Sequence, residues 1–389
     1  MLGADLRVRP RLTSCPFDLQ HMAANTGTPD MPTAPGITRT KGDLARNFFQ
    51  KYGLIIVLLF LPVYYGIQDI KDEGDLSRLA NNLFSGLSNG SIIALIAIGY
   101  TLVYGIIELI NFAHGDVFMI GSFTAQQVWG GILGVGLATS TFGIIGGVAA
   151  ALVVTMLVCG MLNVLIEKVA YKPLRSAPKL APLITAVGMS FVLQNVGLLW
   201  LGGSPRSVDD LIHAQQEVFT IAGITVERAD LLAFAVTIPL VLLMISFINR
   251  TRLGKAMRAT AQDPEAARLM GINVDTTISA TFMIGGLMAG AAGVIYALYQ
   301  TTIWYFQGFN NGLLAFTAAV MGGIGNLKGA VVGGLIIGCI QQMCDNRDTL
   351  PFVGVGGPSW TPAVVFIYLI LIMVFRPQGL FGEETREAG

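Results

Sequence analysis

Charged residues are scarce in this chain. Asp, Glu, Lys and Arg make up 12% of its 389 residues, whereas about a quarter of a typical soluble domain is charged. Hydrophobic residues make up 53%, and the mean hydropathy is +0.65. Several uncharged runs are long enough to cross a bilayer as helices. This composition excludes an ordinary soluble domain and predicts an all-α polytopic membrane protein.

Other features are absent, and each absence excludes a class of function. The 24 basic residues balance the 24 acidic ones. The chain therefore has no excess of positive charge of the kind that would suggest binding to nucleic acid. The three histidines and four cysteines lack the spacing of a metal site. No G-x-x-x-x-G-K-[S/T] motif is present to hold nucleotide phosphates. We therefore predict no catalytic residues, no metal and no cofactor held by this chain itself.

The hydrophobic pattern divides the chain into four parts. Residues 1–50 are rich in Pro, Thr and Ala and are predicted to be a disordered tail. Residues 51–82 are predicted to form an extra N-terminal transmembrane segment with an outside loop. The main membrane domain spans 83–382, and 383–389 form a C-terminal tail.

The chain contains ten apolar segments, which predict eight to ten transmembrane helices. They cover residues 52–67, 83–107, 113–133, 142–166, 181–201, 231–248, 276–298, 313–324, 330–343 and 362–375. The eighth and ninth are short, and the glycines between them predict some broken or half helices. Two interpretations of this joint remain open, a pore lining formed by Gly322, Gly323 and Gly325, or a tight helix hairpin.

The loop at 249–275 is polar and basic between two apolar segments, so it must lie outside the bilayer. Lys and Arg also concentrate in the 167–180 loop and at the end of the N-terminal tail. By the positive-inside rule, this loop and both termini face the cytoplasm. The basic flank of the loop, which ends at Arg258, is predicted to hold it at the inner membrane face.

A short helix is predicted within this loop, at 263–271. Asp263 is suited to the N-cap with a proline following it. Glu265 lies in the first turn, where its charge complements the helix dipole. Gly271 is placed to end the helix as a C′ glycine.

Ala266, Ala267 and Met270 are predicted to form one small apolar face of this helix. Such a face can fit a groove on a partner protein. It can equally belong to an amphipathic helix lying on lipid headgroups. The residues alone leave both interpretations open.

Polar residues within the apolar segments are candidates for a translocation path. If 108–114 is helical, Glu108, Asn111 and His114 share one face and suggest a polar gate. The alternative is that Asn111, His114 and Asp116 cap helices and tie a tight turn at the cytoplasmic edge. Asn89 and Asn195 each lie near a glycine and suit either contact with substrate or hydrogen bonds between helices.

Several motifs together resemble known transport permeases. Glu265-Ala266-Ala267-x-x-x-Gly271 resembles the EAA loop of ABC importer permeases, although the Leu-Pro that often follows is absent. Five further motifs, in order, resemble the branched-chain amino acid ABC permeases of the LivH type. They cover 94–116, 171–176, 183–190, 315–325 and 376–382. The resemblance spans about 83–382.

The resemblance implies a permease subunit that moves branched-chain or related amino acids into the cytoplasm by alternating access. Its implied partners are a second homologous permease, two cytoplasmic ATP-binding subunits that bind ATP-Mg, and a periplasmic amino-acid-binding protein, assembled in the bacterial inner membrane. The implied coupling residues are Arg258, Asp263, Glu265, Ala266, Ala267, Met270 and Gly271. Urea or short amides are alternative substrates. An ion-coupled transporter would need mid-membrane carboxylates, and only Glu108 comes near.

Overall fold

The computed structural model describes residues 41–72, 74–136, 139–175, 177–178, 180–221, 223–347 and 357–382. The predicted tails at 1–50 and 383–389 lie outside these ranges, apart from residues 41–50, which belong to the first helix. Of the residues that the structure describes, 78% are helical. This confirms the prediction of an all-α polytopic membrane protein.

Twelve α-helices follow one another along the described chain. They are α1 Lys41–Asp72, α2 Ser77–Ile107, α3 Ala113–Gln126, α4 Thr141–Ile166, α5 Leu180–Leu201, α6 Arg228–Arg250, α7 Arg252–Gln262, α8 Pro264–Leu269, α9 Val274–Gln300, α10 Gln307–Gly322, α11 Leu327–Asp345 and α12 Thr361–Phe375. A π-helix at Gln127–Ile132 continues α3, and another at Glu167–Tyr171 continues α4, ahead of a 3-10 turn at Lys172–Leu174.

The strands are short and lie in the connections between helices. They are β1 Arg206–Ser207, β2 Glu217–Ile221, β3 Ile224–Glu227 and β4 Thr302–Ile303. β1 pairs with β4, and β2 pairs with β3, both antiparallel.

Seven of the described helices are long and apolar enough to cross a membrane: α1, α2, α4, α5, α6, α9 and α11. The apolar helix α12 is shorter, at 15 residues. All ten predicted apolar segments fall on helices, because α3 with its π-helix, α10 and α12 account for the other three.

α2 and α9 form the centre of the bundle. Within their most apolar stretches 83% and 78% of residues are buried, against 22–28% in α1, α4, α5 and α6. The outer helices instead present large apolar side chains such as Phe142 and Leu199 to their surroundings. In a membrane protein these are the surfaces available to lipid or to neighbouring subunits.

α2 approaches α11 very closely because glycines line their contact. A Cβ placed on Gly90 would lie 2.8 Å from the Leu335 Cα and 2.9 Å from the Gly334 carbonyl oxygen. On the other side of the contact, a Cβ on Gly338 would overlap the backbone at Gly90. Small residues of this kind let helix backbones pack together in lipid, where no hydrophobic force drives helices together.

The glycine-rich joint between α10 and α11 is a tight helix hairpin. α10 ends at Gly322, and the Asn326 side chain caps α11 by accepting hydrogen bonds from the Lys328 and Gly329 amides at 3.0 and 3.2 Å. The turn requires glycine, since Gly323 and Gly325 have φ of +105° and +92°. The structure therefore shows the helix hairpin, and a role of Gly322, Gly323 and Gly325 in a pore lining stays a prediction.

The first apolar helix is joined to the end of the bundle opposite α8. Asp69 on α1 pairs with Arg347, just beyond α11, at 2.6 Å, and both side chains are buried. The Arg347 guanidinium also lies 5.0 Å from the centre of the Tyr65 ring. The Leu61 amide donates to the Tyr368 hydroxyl on α12 at 3.3 Å. These contacts hold α1 against α11 and α12.

We expect Gly90→Ala to reduce the free energy of unfolding by about 1–3 kcal/mol, because the added methyl group overfills the contact between α2 and α11. Gly146→Ala on α4 is the matched control, since a Cβ there meets nothing within 4 Å. We expect Gly146→Ala to raise the free energy of unfolding by about 0.5–1 kcal/mol, because glycine within a helix is less stable than alanine by about that amount. Thermal unfolding of the purified protein in detergent measures both, and equal effects would contradict the packing.

Candidate functional site

α7 is fixed to the end of α6. Its N-cap is Thr251, whose Oγ1 accepts from the Gly254 amide at 3.0 Å. The buried residues of α7 are spaced three apart and therefore lie on one side of the helix, which packs on the bundle. They are Gly254, Met257 and Thr260. Arg258 donates from Nη1 to the Ile248 carbonyl at the end of α6. Arg258 therefore positions α7.

α8 has the N-terminus predicted for it. Asp263 Oδ1 accepts from the Glu265 amide at 2.8 Å and from the Ala266 amide at 3.0 Å. Pro264 occupies the first helical position, where its missing N–H leaves no partner unsatisfied. The carboxylate cap and the Glu265 side chain both place negative charge at the positive end of the helix dipole.

The C-terminus of α8 is a Schellman motif. Gly271 has φ +82°, which only glycine adopts easily. Its amide donates to the Arg268 carbonyl, and the Ile272 amide donates to the Ala267 carbonyl, both at 3.0 Å. Both ends of this short helix are therefore fixed by local bonds.

The predicted apolar face of α8 is wrong in one residue. Ala267 is only 4% exposed and packs into the bundle, whereas Leu269 and Met270 are 89% and 83% exposed. Ala266, Leu269 and Met270 are exposed apolar residues at helical spacing, and we call them the α8 outer face. Helical spacing allowed either set, and the packing of α8 against the start of α9 selects this one.

A charge cluster around the buried Glu167 carboxylate joins the end of α4 to the start of α9. Glu167 is fully buried and pairs with Arg175 Nη2. Arg175 Nη1 also pairs with Asp275 at 2.6 Å. The Ser279 hydroxyl donates to Glu167 at 2.8 Å, and Lys172 lies 3.2 Å from Asp275. Lys172 and Arg175 belong to the basic 167–180 loop, but Asp275 and Ser279 lie about a hundred residues further along the chain, so sequence spacing did not predict the cluster.

Asn111 ties the α2–α3 connection to neighbouring helices. Its Nδ2 donates to Asn163 Oδ1 at 3.3 Å, and its Oδ1 accepts from the Tyr171 hydroxyl at 3.0 Å. Asn163 Nδ2 in turn donates to the Phe282 carbonyl on α9 at 2.6 Å. These bonds fit the alternative interpretation, in which the polar residues tie a tight turn.

The prediction that Glu108, Asn111 and His114 share one helical face is wrong. α2 ends at Ile107, and Glu108 follows in a left-handed conformation with φ 51°. α3 begins only at Ala113. Glu108 is exposed, while Asn111 and His114 are buried.

His114 and Asn89 are buried between helices. The His114 ring packs edge-on against Tyr100 at 4.9 Å between ring centres, and it fills the space beside Gly99. Asn89 donates from Nδ2 to Gln341 Oε1 on α11 at 3.1 Å.

The other predicted path residues differ in their exposure, and the translocation path stays a prediction. Asn195 is exposed on α5 and donates to the Phe191 carbonyl of its own helix at 2.8 Å. Gly322 and Gly323 are buried in the α10–α11 hairpin, whereas Gly325 is exposed. The described residues include no cluster of three or more His, Cys, Asp or Glu side chains able to hold a metal ion.

Asp116 is a buried carboxylate that the sequence suggested only as a residue that caps a helix or ties a turn. It lies in the first turn of α3 and is fully buried. Its Oδ2 accepts from the Ser190 hydroxyl at 2.5 Å, and Ser190 Oγ accepts from Gln194 Nε2 at 3.0 Å. The three side chains connect α3 to α5.

A cavity of about 780 Å³ opens beside α7. The ends of α2 and α6, one side of α7, the turn at 324–328 and Gly382 form its walls. Gly325 is the one residue from the predicted translocation path that lines it.

The fold and site define a multi-pass helical membrane protein that carries a capped, exposed helix at one end of its bundle. A family model described as "Branched-chain amino acid transport system / permease component" matches residues 82–374. The chain belongs to this family of transport permeases, which confirms the resemblance seen in the sequence.

Individual proteins of similar sequence are also transport permeases. The high-affinity branched-chain amino acid transport system permease protein BraD of Pseudomonas aeruginosa is 39% identical over 316 residues, which cover 80% of this chain and 99% of BraD. The LivH protein of Escherichia coli strain K12, described in the same terms, is 39% identical over 310 residues, covering 78% and 96%. The ribose import permease protein RbsC of the same strain is 26% identical over 309 residues, covering 76% and 84%.

Among solved structures, a chain of PsaBC from Streptococcus pneumoniae in complex with Fab matches with a TM-score of 0.40 and 14% identity, covering 80% of this chain and 95% of that chain. A likeness of this size carries no argument about fold or function.

We expect Arg175→Met to destabilise the protein by about 3–5 kcal/mol, because it leaves the buried Glu167 carboxylate without its cation. The double variant Glu167→Gln/Arg175→Met removes both charges and should recover most of that loss. Thermal unfolding in detergent compares the wild type, the two single variants and the double variant. If the destabilisation of the double variant equals the sum of the destabilisations of Glu167→Gln and Arg175→Met, the two side chains do not interact as described.

Proposed function

We propose that this chain is a transmembrane permease subunit of an ATP-driven importer that carries branched-chain amino acids into the cytoplasm. The observation that supports it most is the match to BraD, which covers 99% of that relative. BraD and LivH are both described as permeases of high-affinity branched-chain amino acid transport systems. Assignment of the substrate to this chain rests on that similarity.

The proposed machine needs several further chains. They are a second homologous permease, two cytoplasmic ATP-binding subunits and a periplasmic amino-acid-binding protein. The sequence has no P-loop motif, so ATP and its magnesium would be bound by the ATP-binding subunits. A separate binding protein would also supply selectivity, so the permease need not bind its substrate tightly.

The charge distribution supports a location in the inner membrane with α7 and α8 on the cytoplasmic side. The ends of α4 and α6, the 167–180 loop and α7 carry Lys and Arg at the same end of the bundle as α8. Short loops rich in these residues remain in the cytoplasm. With ten crossings, both termini would also be cytoplasmic.

The α8 outer face is the proposed docking surface for an ATP-binding subunit. Leu269 and Met270 expose almost their full side chains, and an apolar helix face commonly binds in a groove of a partner. Burial there would remove apolar surface from water, which is favourable at about 25 cal/mol per Å².

Movement of α8 would reach the bundle through three attachments. Ala267 packs α8 onto the bundle, Arg258 holds α7 to α6, and the Glu167–Arg175–Asp275 cluster holds the start of α9 to the end of α4. α9 lies at the centre of the bundle and contacts α2, α3 and α4. Closure of the ATP-binding subunits could therefore change how the central helices pack, as alternating access requires.

We expect Leu269→Arg to reduce ATP-driven uptake of leucine at least about tenfold in proteoliposomes, because a charge on the α8 outer face opposes docking in an apolar groove. Leu269→Met keeps the size and the apolar character and serves as the matched control. The same variants are tested for co-purification of the ATP-binding subunits. If Leu269→Arg takes up leucine normally and still co-purifies with the ATP-binding subunits, the α8 outer face is not the docking surface.

The substrate is tested by competition. We expect leucine, isoleucine and valine to block uptake of labelled leucine, and urea, short amides and ribose to leave it unchanged. The higher identity to BraD than to the ribose permease favours this result. Uptake of urea with no uptake of leucine would instead support the alternative substrate class.

A further inference from the structure

The cavity beside α7 has the size of a small-molecule site. Its volume of about 780 Å³ falls within the ~300–1,000 Å³ typical of such sites. It lies where α7 meets the ends of α2 and α6 and the α10–α11 turn. Any occupant would therefore touch the helix that carries α8.

The charges on the cavity wall favour an anionic group. Arg258 and Lys328 both line the cavity, and none of its seventeen lining residues is acidic. Arg258 uses Nη1 for the Ile248 carbonyl, but a guanidinium has five N–H donors, so others remain for a ligand. A carboxylate is well suited to such a pair of cations.

Thr101 gives an independent indication of a ligand. Its side chain is 1% exposed and lines the cavity, and its Oγ1 has no hydrogen-bond partner among the described residues. A buried hydroxyl without a partner is costly. A ligand carrying a polar group would satisfy it. The side-chain amides of Asn249 and Gln262, also on the wall, provide oxygens that can accept from an ammonium group.

The remaining wall is aliphatic. Leu102, Ile106, Ile245, Ile248 and Met257 lie on the same cavity surface. The wall thus offers cations for a carboxylate, amides for an ammonium group and an apolar surface for a hydrocarbon side chain.

We propose that this cavity binds a free amino acid with an aliphatic side chain from the cytoplasmic side and that the bound molecule slows transport. The inference rests on the proposed function, which delivers such molecules to this side of the membrane. A ligand in the cavity joins α7 to α2 and to the α10–α11 turn, and it therefore restrains the segment that carries α8. The cavity is a site of product inhibition.

The test uses the full complex in proteoliposomes whose lumen faces the cytoplasmic side and contains ATP. Initial uptake of labelled leucine is measured with increasing unlabelled leucine in the lumen. We expect lumenal leucine to inhibit the wild type. The concentration for half inhibition should rise about tenfold or more in Thr101→Val and in Lys328→Gln, since each removes a polar contact worth about that factor in binding.

Two variants serve as controls. Thr101→Ser keeps the hydroxyl, and Lys168→Gln removes an exposed lysine at the same end of the bundle that does not line the cavity. Lumenal leucine should inhibit both variants as strongly as it inhibits the wild type. For each variant, inhibition is expressed relative to its own uptake when the lumen contains ATP but no leucine.

Three results would overturn the inference. One is wild-type uptake that lumenal leucine does not slow. Another is inhibition that Thr101→Val and Lys328→Gln leave unchanged. The third is an equal loss of inhibition in Lys168→Gln. A wild-type complex that takes up no leucine at all would instead refute the proposed function, so the two failures are distinguishable.

Discussion

The close approach of α2 to its neighbours is the constraint on which the rest of the structure depends. In lipid, helices associate through van der Waals packing and hydrogen bonds, so backbones must come near one another. Gly90 permits this against α11, and Gly99 leaves room for the His114 ring of α3. Because α2 also carries Asn89 and Thr101, its position determines both the polar contacts of the bundle interior and the inner wall of the cavity.

The polar end of the bundle is organised by different forces. α8 is too short to be stable alone, and its capped ends, together with the burial of Ala267, fix it in place. In the nearby Glu167–Arg175 pair the carboxylate is buried and the guanidinium is partly buried. Such pairs add little net stability but strongly penalise any arrangement that separates them. If α8 moves as proposed, this cluster would keep α4 and α9 in register.

Local chemistry explains what the sequence predicted well. The limits of α8 follow from Asp263 and Gly271, which act on their own backbone, and the apolar segments follow from composition. Features decided by tertiary packing were missed. Ala267 rather than Leu269 faces the bundle because of where α9 lies. Glu167 and Asp275 meet through Arg175 across a hundred residues. The left-handed end of α2 at Glu108 removed the expected polar face.

The central claim is that the α8 outer face docks an ATP-binding subunit, and accessibility at Leu269 tests it most directly. A Leu269→Cys variant, made in a chain whose Cys15 is replaced by serine, is labelled with a maleimide before and after assembly with the ATP-binding subunits. We predict rapid labelling of the isolated permease, where Leu269 is 89% exposed, and strong protection in the complex. Equal labelling in both states would contradict it.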